Sequence, residues 1–152
     1  MTHKRSQRFK PIHNLAQKSE DVAAQTLGKI QRELSEHHDK LSELMKYYQD
    51  YKERFNEQAI KGISVTQAQS FQKFMSQLEI AIKQQKEHIV CVTEACDSRR
   101  ADWTAERQKT QVLKKVMNRY EKKEQQVSNR QEQRRNDEFV ANQFWHKNKQ
   151  TT

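Results

Sequence analysis

Two heptad patterns of mainly apolar residues, separated by a single glycine, constrain this chain more than any other feature. The first advances in alternating steps of three and four residues through Leu27, Ile30, Leu34, His37, Leu41, Leu44, Tyr48, Tyr51 and Phe55. The second comes after Gly62 and passes through Phe71, Met75, Leu78, Ile82, Gln85, Ile89, Val92 and Cys96. A step averaging about 3.5 residues keeps one side of a helix facing its partner. The pattern therefore predicts two long helices that pack along one line of residues, which we call the seam.

Residues that form turns are scarce. The 152 residues include two Gly and one Pro, while 33% are hydrophobic and 32% are charged. Folds with many strands need frequent turns, which are built from Gly, Pro, Asn and Asp. A periodic chain rich in Ala, Glu, Lys, Leu and Arg is typical of long helices. We therefore expect very few chain reversals and a narrow core.

One chain reversal is predicted near residues 60–64. Gly62 can adopt the left-handed conformation that ends a helix. Ser64 and Gln67 have the spacing of a capping box, which begins a helix. A connection this short makes the two helices antiparallel neighbours. The predicted fold class is all-α, an antiparallel two-helix coiled coil (a helical hairpin) with flexible basic termini.

The first boundary is predicted near residue 14. Residues 1–13 contain Pro11 and show no periodicity, so we expect a flexible basic arm there. Asn14 is a suitable N-cap, since its side chain can accept a hydrogen bond from the first turn of a helix. The first helix is therefore expected to start near Asn14.

The second boundary is predicted near residue 135. The heptad register of the second helix continues to Val127, although polar residues such as Arg99 and Glu124 weaken it. Residues 136–152 are rich in Asn and Gln and are expected to form a flexible C-terminal tail. The hairpin is thus predicted over residues 14–135.

The sequence favours a cytoplasmic protein. It has no run of about 18 apolar residues that could span a membrane, and no apolar segment of a secretory signal follows its basic first ten residues. Cys91 and Cys96 are five positions apart on one helix and point in different directions, so no disulfide between them is expected. Cys96 is on the seam and is interpreted as a packing residue.

Charge is distributed unevenly along the chain. Residues 1–10 contain four basic residues and no acid, and residues 99–152 have 14 basic against 7 acidic residues. Residues 11–98 have 11 basic and 13 acidic residues. In an antiparallel hairpin the two basic segments share one end. That end could bind nucleic-acid phosphates or an acidic protein surface.

The sequence predicts neither an enzyme nor a cofactor or metal site. His37, His38 and Asp39 suggest metal ligands, but adjacent helical residues diverge by about 100° and cannot share one ion. His37 is on the seam, where a polar residue can set the register. Two helices form hardly any water-excluding pocket for catalysis.

A second line of large residues runs beside the seam. Its members are Leu44, Tyr47 and Tyr51 on the first helix and Phe74, Leu78 and Ala81 on the second. These residues either widen the core or form an exposed apolar patch that binds a partner. A two-helix protein buries few residues besides its seam, which slightly favours the patch. We call these six residues the mid-helix patch.

Several motifs resemble the flagellar export protein FliJ family. They are the tyrosine-bearing segment Leu44–Tyr51, the turn Lys61–Ser64, Phe71–Met75 with Leu78–Ile82, the Arg99–Trp103 segment, and Arg5–Phe9 followed by Leu15, Ala16 and Glu20. Their order and spacing extend over about residues 5–147. The resemblance implies a coiled coil similar to the central stalk of rotary ATPases, which acts in flagellar type III secretion without being an enzyme.

The resemblance also implies partners and sites. The hexameric export ATPase would bind the end bearing both termini, and the membrane export-gate protein would bind the mid-helix patch. The predicted ATPase contacts, which we call the basic set, are Arg5, Arg8, Lys114, Lys115 and Arg119. Substrate-specific export chaperones are further implied partners. The protein would be cytoplasmic and peripheral at the inner-membrane base of the flagellum, without inserting into the membrane.

Three alternatives remain open at the level of sequence. The equivalent stalk protein of an injectisome has a similar shape. A basic coiled coil with pI near 9.6 could bind nucleic acid, although the near-neutral middle argues against it. The seam beyond the first helix could pair with another copy in a self-assembling rod.

Overall fold

The chain is all-helical over the residues that the computed structural model describes, which are 4–149. Helix α1 spans Arg5–Lys61 and helix α2 spans Val65–Lys149. No strand occurs within that range. The helices pack against each other with opposite directions, which confirms the predicted antiparallel two-helix coiled coil. Residues 1–3 of the predicted arm and 150–152 of the predicted tail lie outside the described residues.

The turn between the helices has the predicted chemistry. Gly62 has a positive φ of 87°, and its N–H donates to the Ala59 carbonyl at 3.3 Å. The Gln67 N–H donates to Ser64 Oγ at 3.2 Å, while the Ser64 N–H donates to Gln67 Oε1 at 3.3 Å. The capping box is thereby confirmed, and two otherwise unpaired N–H groups, one of Ser64 just before α2 and one of Gln67 in its first turn, find partners.

The helices form two compact units. One comprises residues 21–105 and contains the turn, so we call it the turn unit; the other comprises residues up to 20 together with those from 106, and we call it the terminal unit. The buried apolar residues of the turn unit are Leu27, Leu78, Ile89, Val92 and Cys96. All five are seam positions, which confirms the predicted seam there.

Polar residues also occupy the seam of the turn unit. Gln85 is buried, and its Nε2 donates to the His37 carbonyl at 2.9 Å. Tyr48 donates through its hydroxyl to Glu79 Oε1 at 3.0 Å. From the first pair to the second the residue number rises on α1 and falls on α2, as antiparallel packing requires.

The seam of the terminal unit is more polar. Ser6 and Thr110 are its buried polar residues, while Leu113, Met117 and Tyr120 are half-buried. The Thr110 hydroxyl donates to the Glu106 carbonyl at 3.1 Å, so its burial leaves that donor paired. The stripe of apolar side chains here is thinner than in the turn unit.

The start of the first helix differs from the prediction. Helix α1 begins at Arg5 rather than near Asn14, and Pro11 lies inside it. A proline in a helix removes one backbone hydrogen bond and crowds the preceding turn. Packing compensates, since Phe9 stacks on Tyr120 with 5.5 Å between ring centroids. The predicted start near Asn14 is therefore wrong.

The end of the second helix also differs. Helix α2 continues to Lys149, past the boundary predicted near residue 135. Val127, the last predicted seam residue, is 54% exposed, and every residue from 129 to 149 is exposed. The helix continues there without contact with α1, because its Gln, Arg and Glu residues favour helix locally. Whether the terminal segments are flexible in solution stays a prediction.

Neither described helix has a stretch long and apolar enough to cross a membrane. Both cysteines are free thiols; Cys96 is buried as expected and Cys91 is exposed.

Candidate functional site

The mid-helix patch is divided between core and surface. Tyr47 is 58% exposed and Phe74 is 37% exposed, whereas Leu78 is 8% exposed. Leu44, Tyr51 and Ala81 are half-buried. Leu78 therefore belongs to the packed seam, while Tyr47 and Phe74 present aromatic surface to solvent. Some of the six residues therefore widen the core while others are exposed, and partner binding by the exposed ones stays a prediction.

A cluster of aromatic rings supports the exposed part of the patch. The rings of Tyr51 and Phe74 are tilted against each other with centroids 4.3 Å apart. Tyr51 also meets Phe71 edge-on at 6.0 Å, and Phe71 lies 5.5 Å from Phe55. Such pairs add about 0.5–1.5 kcal/mol each beyond their buried area. Phe74 is thus held against the seam while a third of its surface remains available.

A shallow groove adjoins the patch. Its volume is about 330 Å³, and it is lined by Tyr51, Gln58, Thr66, Gln67, Ser70, Phe71 and Phe74. An apolar groove bordered by hydroxyl and amide groups suits a partner side chain more than a reaction, since it holds no titratable pair. This part of the turn unit thus presents apolar surface with hydrogen-bonding groups at its edge.

A second groove lies on the turn unit around the Tyr48–Glu79 hydrogen bond. It has a volume of about 510 Å³ and is lined by Met45, Tyr48, Gln49, Glu79, Ile82, Lys83 and Lys86. The bond to the Glu79 carboxylate raises the pKa of Tyr48 above its usual value, because it favours the protonated phenol. The phenol is neutral at physiological pH even at its usual pKa, and it donates the hydrogen bond that links Tyr48 of α1 to Glu79 of α2.

The basic set is exposed but not concentrated. All five residues are exposed on the terminal unit. Phe9 faces Tyr120, so in antiparallel register Arg5 and Arg8 lie beside residues near 120–125, whereas Lys114 and Lys115 lie earlier in α2. The five charges are spread over roughly 15 Å of helix. This distribution suits a broad acidic surface better than a single phosphate.

The first turn of α1 is anchored to α2. The Ser6 backbone N–H donates to Glu124 Oε1 at 3.0 Å, and the Ser6 hydroxyl donates to Glu124 Oε2 at 2.6 Å. These bonds hold the pKa of Glu124 below its usual range, because they stabilise the ionised carboxylate. The Arg5 guanidinium carbon lies 6.0 Å from the centroid of the Tyr120 ring. Arg5 is therefore positioned by contacts rather than displayed on a free arm.

Sequence reasoning missed Ser6 and Phe9 as packing residues. A signal was present, since the seam can be followed backwards from Leu27 in the same steps. That line passes through Ala23, Glu20, Ala16, His13, Phe9 and Ser6. Each of these positions is buried or half-buried. The presence of Pro11 obscured the pattern.

A possible metal-ligand group lies in the turn unit. Glu33, His37 and His88 place one ligand atom each within 4.8 Å of one another. His38, which the sequence analysis considered beside His37, is exposed and is not part of this group. This group cannot be read from the sequence alone, because it depends on which residue of α2 lies opposite His37.

Comparisons with known proteins identify a family and two relatives. A family model described as flagellar FliJ protein matches residues 5–149. The flagellar FliJ protein of Salmonella typhi is 27% identical over 129 residues, which cover 85% of this chain and 88% of that protein. The flagellar FliJ protein of Escherichia coli strain K12 is likewise 27% identical over 129 residues, with the same coverage. No solved structure matches the chain.

Proposed function

Because the chain belongs to the flagellar FliJ protein family and is thereby a component of flagellar protein export, we propose that it acts as a non-enzymatic stalk and adaptor of the type III export apparatus. The family match extends over residues 5–149 and thus includes both units. This single observation supports the proposal most strongly. The matched family and both relatives are flagellar proteins, which favours the flagellum over the injectisome.

We propose that the terminal unit binds the hexameric export ATPase. The basic set lies on this unit, together with both terminal segments. Exposed Lys and Arg side chains attract an acidic partner over about 8–10 Å at physiological salt. The Ser6–Glu124 and Phe9–Tyr120 contacts hold the first turn of α1 in place, so Arg5 and Arg8 need little ordering on binding.

We propose that the turn unit binds the export-gate membrane protein. Tyr47 and Phe74 are the exposed aromatic members of the mid-helix patch, and aromatic residues are enriched among those that dominate interface energies. The Tyr51 ring packs against the Phe74 ring, with 4.3 Å between their centroids. Leu78 contributes by packing the seam and is not expected to touch the gate.

In this proposal the protein couples ATP hydrolysis to export. Helices α1 and α2 contribute to both units, so the ATPase and the gate would bind surfaces on the same two helices. The protein would also assist substrate-specific chaperones, and it would remain cytoplasmic, peripheral at the inner-membrane base of the flagellum. No catalytic group is assigned to it.

The ATPase contact is tested by titrating the protein into the cognate export ATPase and measuring ATP turnover. We expect saturable stimulation that Arg5→Glu/Arg8→Glu weakens, because the reversed charges repel an acidic surface. Lys40→Glu/Lys73→Glu is the matched control, since it makes the same charge change on exposed residues of the turn unit. Equal loss in both variants, or no stimulation by the unaltered protein, would refute the contact.

The gate contact is tested by export and swimming assays with Tyr47→Ala/Phe74→Ala. We expect impaired export in the double variant and in Tyr47→Ala alone. Tyr47→Ala should leave the helix melt almost unchanged because Tyr47 is 58% exposed, whereas Phe74→Ala should lower it by removing the ring contact with Tyr51. Ile80→Ala/Val90→Ala removes similar exposed apolar surface, 57% and 56% exposed, elsewhere on α2 and serves as the control. Normal export in the aromatic variant would eliminate the patch as a gate site.

A further inference from the structure

Three potential metal ligands from the two helices converge in the turn unit. Glu33 and His37 are four residues apart on α1, a spacing that places both side chains on one helix face. Glu33 Oε1 lies 3.7 Å from His37 Nε2. His88 of α2 approaches the same point, with its ring centroid 4.3 Å from that of His37 and the ring planes at 81°.

The donor set suits a particular class of cation. Two imidazole nitrogens and one carboxylate oxygen are the ligands of many Zn²⁺ sites. Metal–ligand bonds of about 2.0–2.2 Å put tetrahedral donor atoms roughly 3.3–3.6 Å apart. The three donor atoms already lie within 4.8 Å of one another, so small side-chain rotations would bring them to that spacing.

The site is open to incoming ions. Glu33 and His88 are exposed and His37 is half-buried, so an ion can reach the donors from solvent. Three protein ligands leave one tetrahedral position for water or for a group of another molecule. The arrangement differs from a closed structural site, in which four protein ligands surround the ion.

Gln85 is placed to orient one of the ligands. It is buried, and its Nε2 contacts His37 Nδ1 at 3.1 Å as well as the His37 carbonyl. Binding an ion through Nε2 requires the ring proton of His37 to be on Nδ1. With that tautomer Gln85 Nε2 keeps its hydrogen bond to the His37 carbonyl and no longer donates to Nδ1. Gln85 thereby fixes the backbone position from which the His37 ring reaches the ion.

We propose that Glu33, His37 and His88 form a binding site for a divalent transition-metal ion of the Zn²⁺ class, which joins α1 to α2 in the turn unit. Ni²⁺ and Cu²⁺ should bind as well, because the affinity of one donor set for divalent metals follows a general order that includes both ions. A bound ion would join Glu33 and His37 of α1 to His88 of α2, so it would stabilise the packed state of the turn unit. This proposal is independent of the proposed export function.

The experiment uses the full chain without a polyhistidine tag, freed of metal with a chelator. Zn²⁺ is titrated by calorimetry, and Co²⁺ is followed by its visible absorption, which reports a tetrahedral site. We expect one ion per chain and a rise of the thermal midpoint by about 5 °C or more when free Zn²⁺ is 100-fold above its Kd. The chelator should reverse that rise.

Variants distinguish binding at this site from non-specific binding at surface histidines. His88→Ala changes an exposed residue, so the fold should persist while Zn²⁺ affinity falls by more than about tenfold. His38→Ala is the matched control and should bind as the unaltered chain does. Unchanged affinity in His88→Ala, equal losses in His88→Ala and His38→Ala, or no midpoint shift with Zn²⁺ would overturn the proposal.

Discussion

Leu78 and Tyr47 were both candidates for the mid-helix patch, and the structure predicts opposite outcomes for their replacement by alanine. Leu78 is 8% exposed and Tyr47 is 58% exposed. Leu78→Ala should therefore destabilise the turn unit, whereas Tyr47→Ala should leave its stability nearly unchanged. The comparison decides which patch residues can be used to test binding without disturbing the fold.

The expected loss for Leu78→Ala follows from its burial. The substitution removes three carbon atoms, each worth about 0.8 kcal/mol when withdrawn from water, so the transfer loss is about 2 kcal/mol. In enclosed cores a cavity adds to this, giving about 2–5 kcal/mol. No side chain among residues 4–149 is completely enclosed, so neighbours and water can fill the space. We expect about 2 kcal/mol in the free energy of unfolding, and less than about 0.5 kcal/mol for the exposed Tyr47.

Urea unfolding followed by far-ultraviolet circular dichroism measures both values on the full chain. The slope of the free energy against urea should be the same for each variant, because neither changes the surface exposed on unfolding appreciably. A loss below about 0.5 kcal/mol for Leu78→Ala, or an equal loss for Tyr47→Ala, would refute the assignment of Leu78 to the core.

Two further predictions concern backbone and charge. Gly62→Ala should cost about 1–2 kcal/mol, because alanine is strained at the positive φ of 87° that Gly62 adopts. Gly28→Ala should instead stabilise the chain by about 1 kcal/mol, since Gly28 lies within a helix with space for a methyl group. Thermal midpoints that shift in opposite directions would support both expectations, and shifts of the same sign would contradict them. Ser6 holds the pKa of Glu124 below its usual range, so the Ser6–Glu124 hydrogen bonds stabilise the folded chain fully above the pKa that Glu124 has in the unfolded chain. This stabilisation is lost as pH falls through the lower pKa that Glu124 has in the folded chain. An acid titration of the thermal midpoint should therefore flatten in Glu124→Gln, and an unaltered acid dependence would exclude this pair as a source.

Much of the fold could be predicted from local patterns. The seam follows from the heptad steps, and the turn follows from Gly62 with the capping box of Ser64 and Gln67, because each of these signals lies within a few residues of sequence. Tertiary contacts explain what was missed. Contacts with α2 extend α1 past Pro11 to Arg5, and no local rule reports such contacts.

The candidate sites were less predictable for a related reason. Heptads identify the face of each helix but leave open which residues of the two helices lie opposite one another. The approach of His37 to His88 depends on that alignment, as does the depth at which Leu78 is buried. The position of Phe74 at the seam edge required the packing of Tyr51 to be known. Exposure and juxtaposition are therefore properties of the pair of helices and cannot be obtained from either one.

The exposed end of α2 should fray separately from the packed part of the helix. Residues 129–149 are all exposed, so their helical state gains no free energy from burial and depends on local hydrogen bonds and side-chain pairs such as Lys149 over Trp145 at 5.3 Å. Isolated helices of this length melt gradually. Heating should unwind this segment over a broad range, well before the packed seam unfolds cooperatively, and seam substitutions should leave its amide exchange rates unaltered. A partner that binds this segment would supply the packing free energy that the chain itself lacks there. Binding would then convert a broad helix–coil equilibrium into a stable helix.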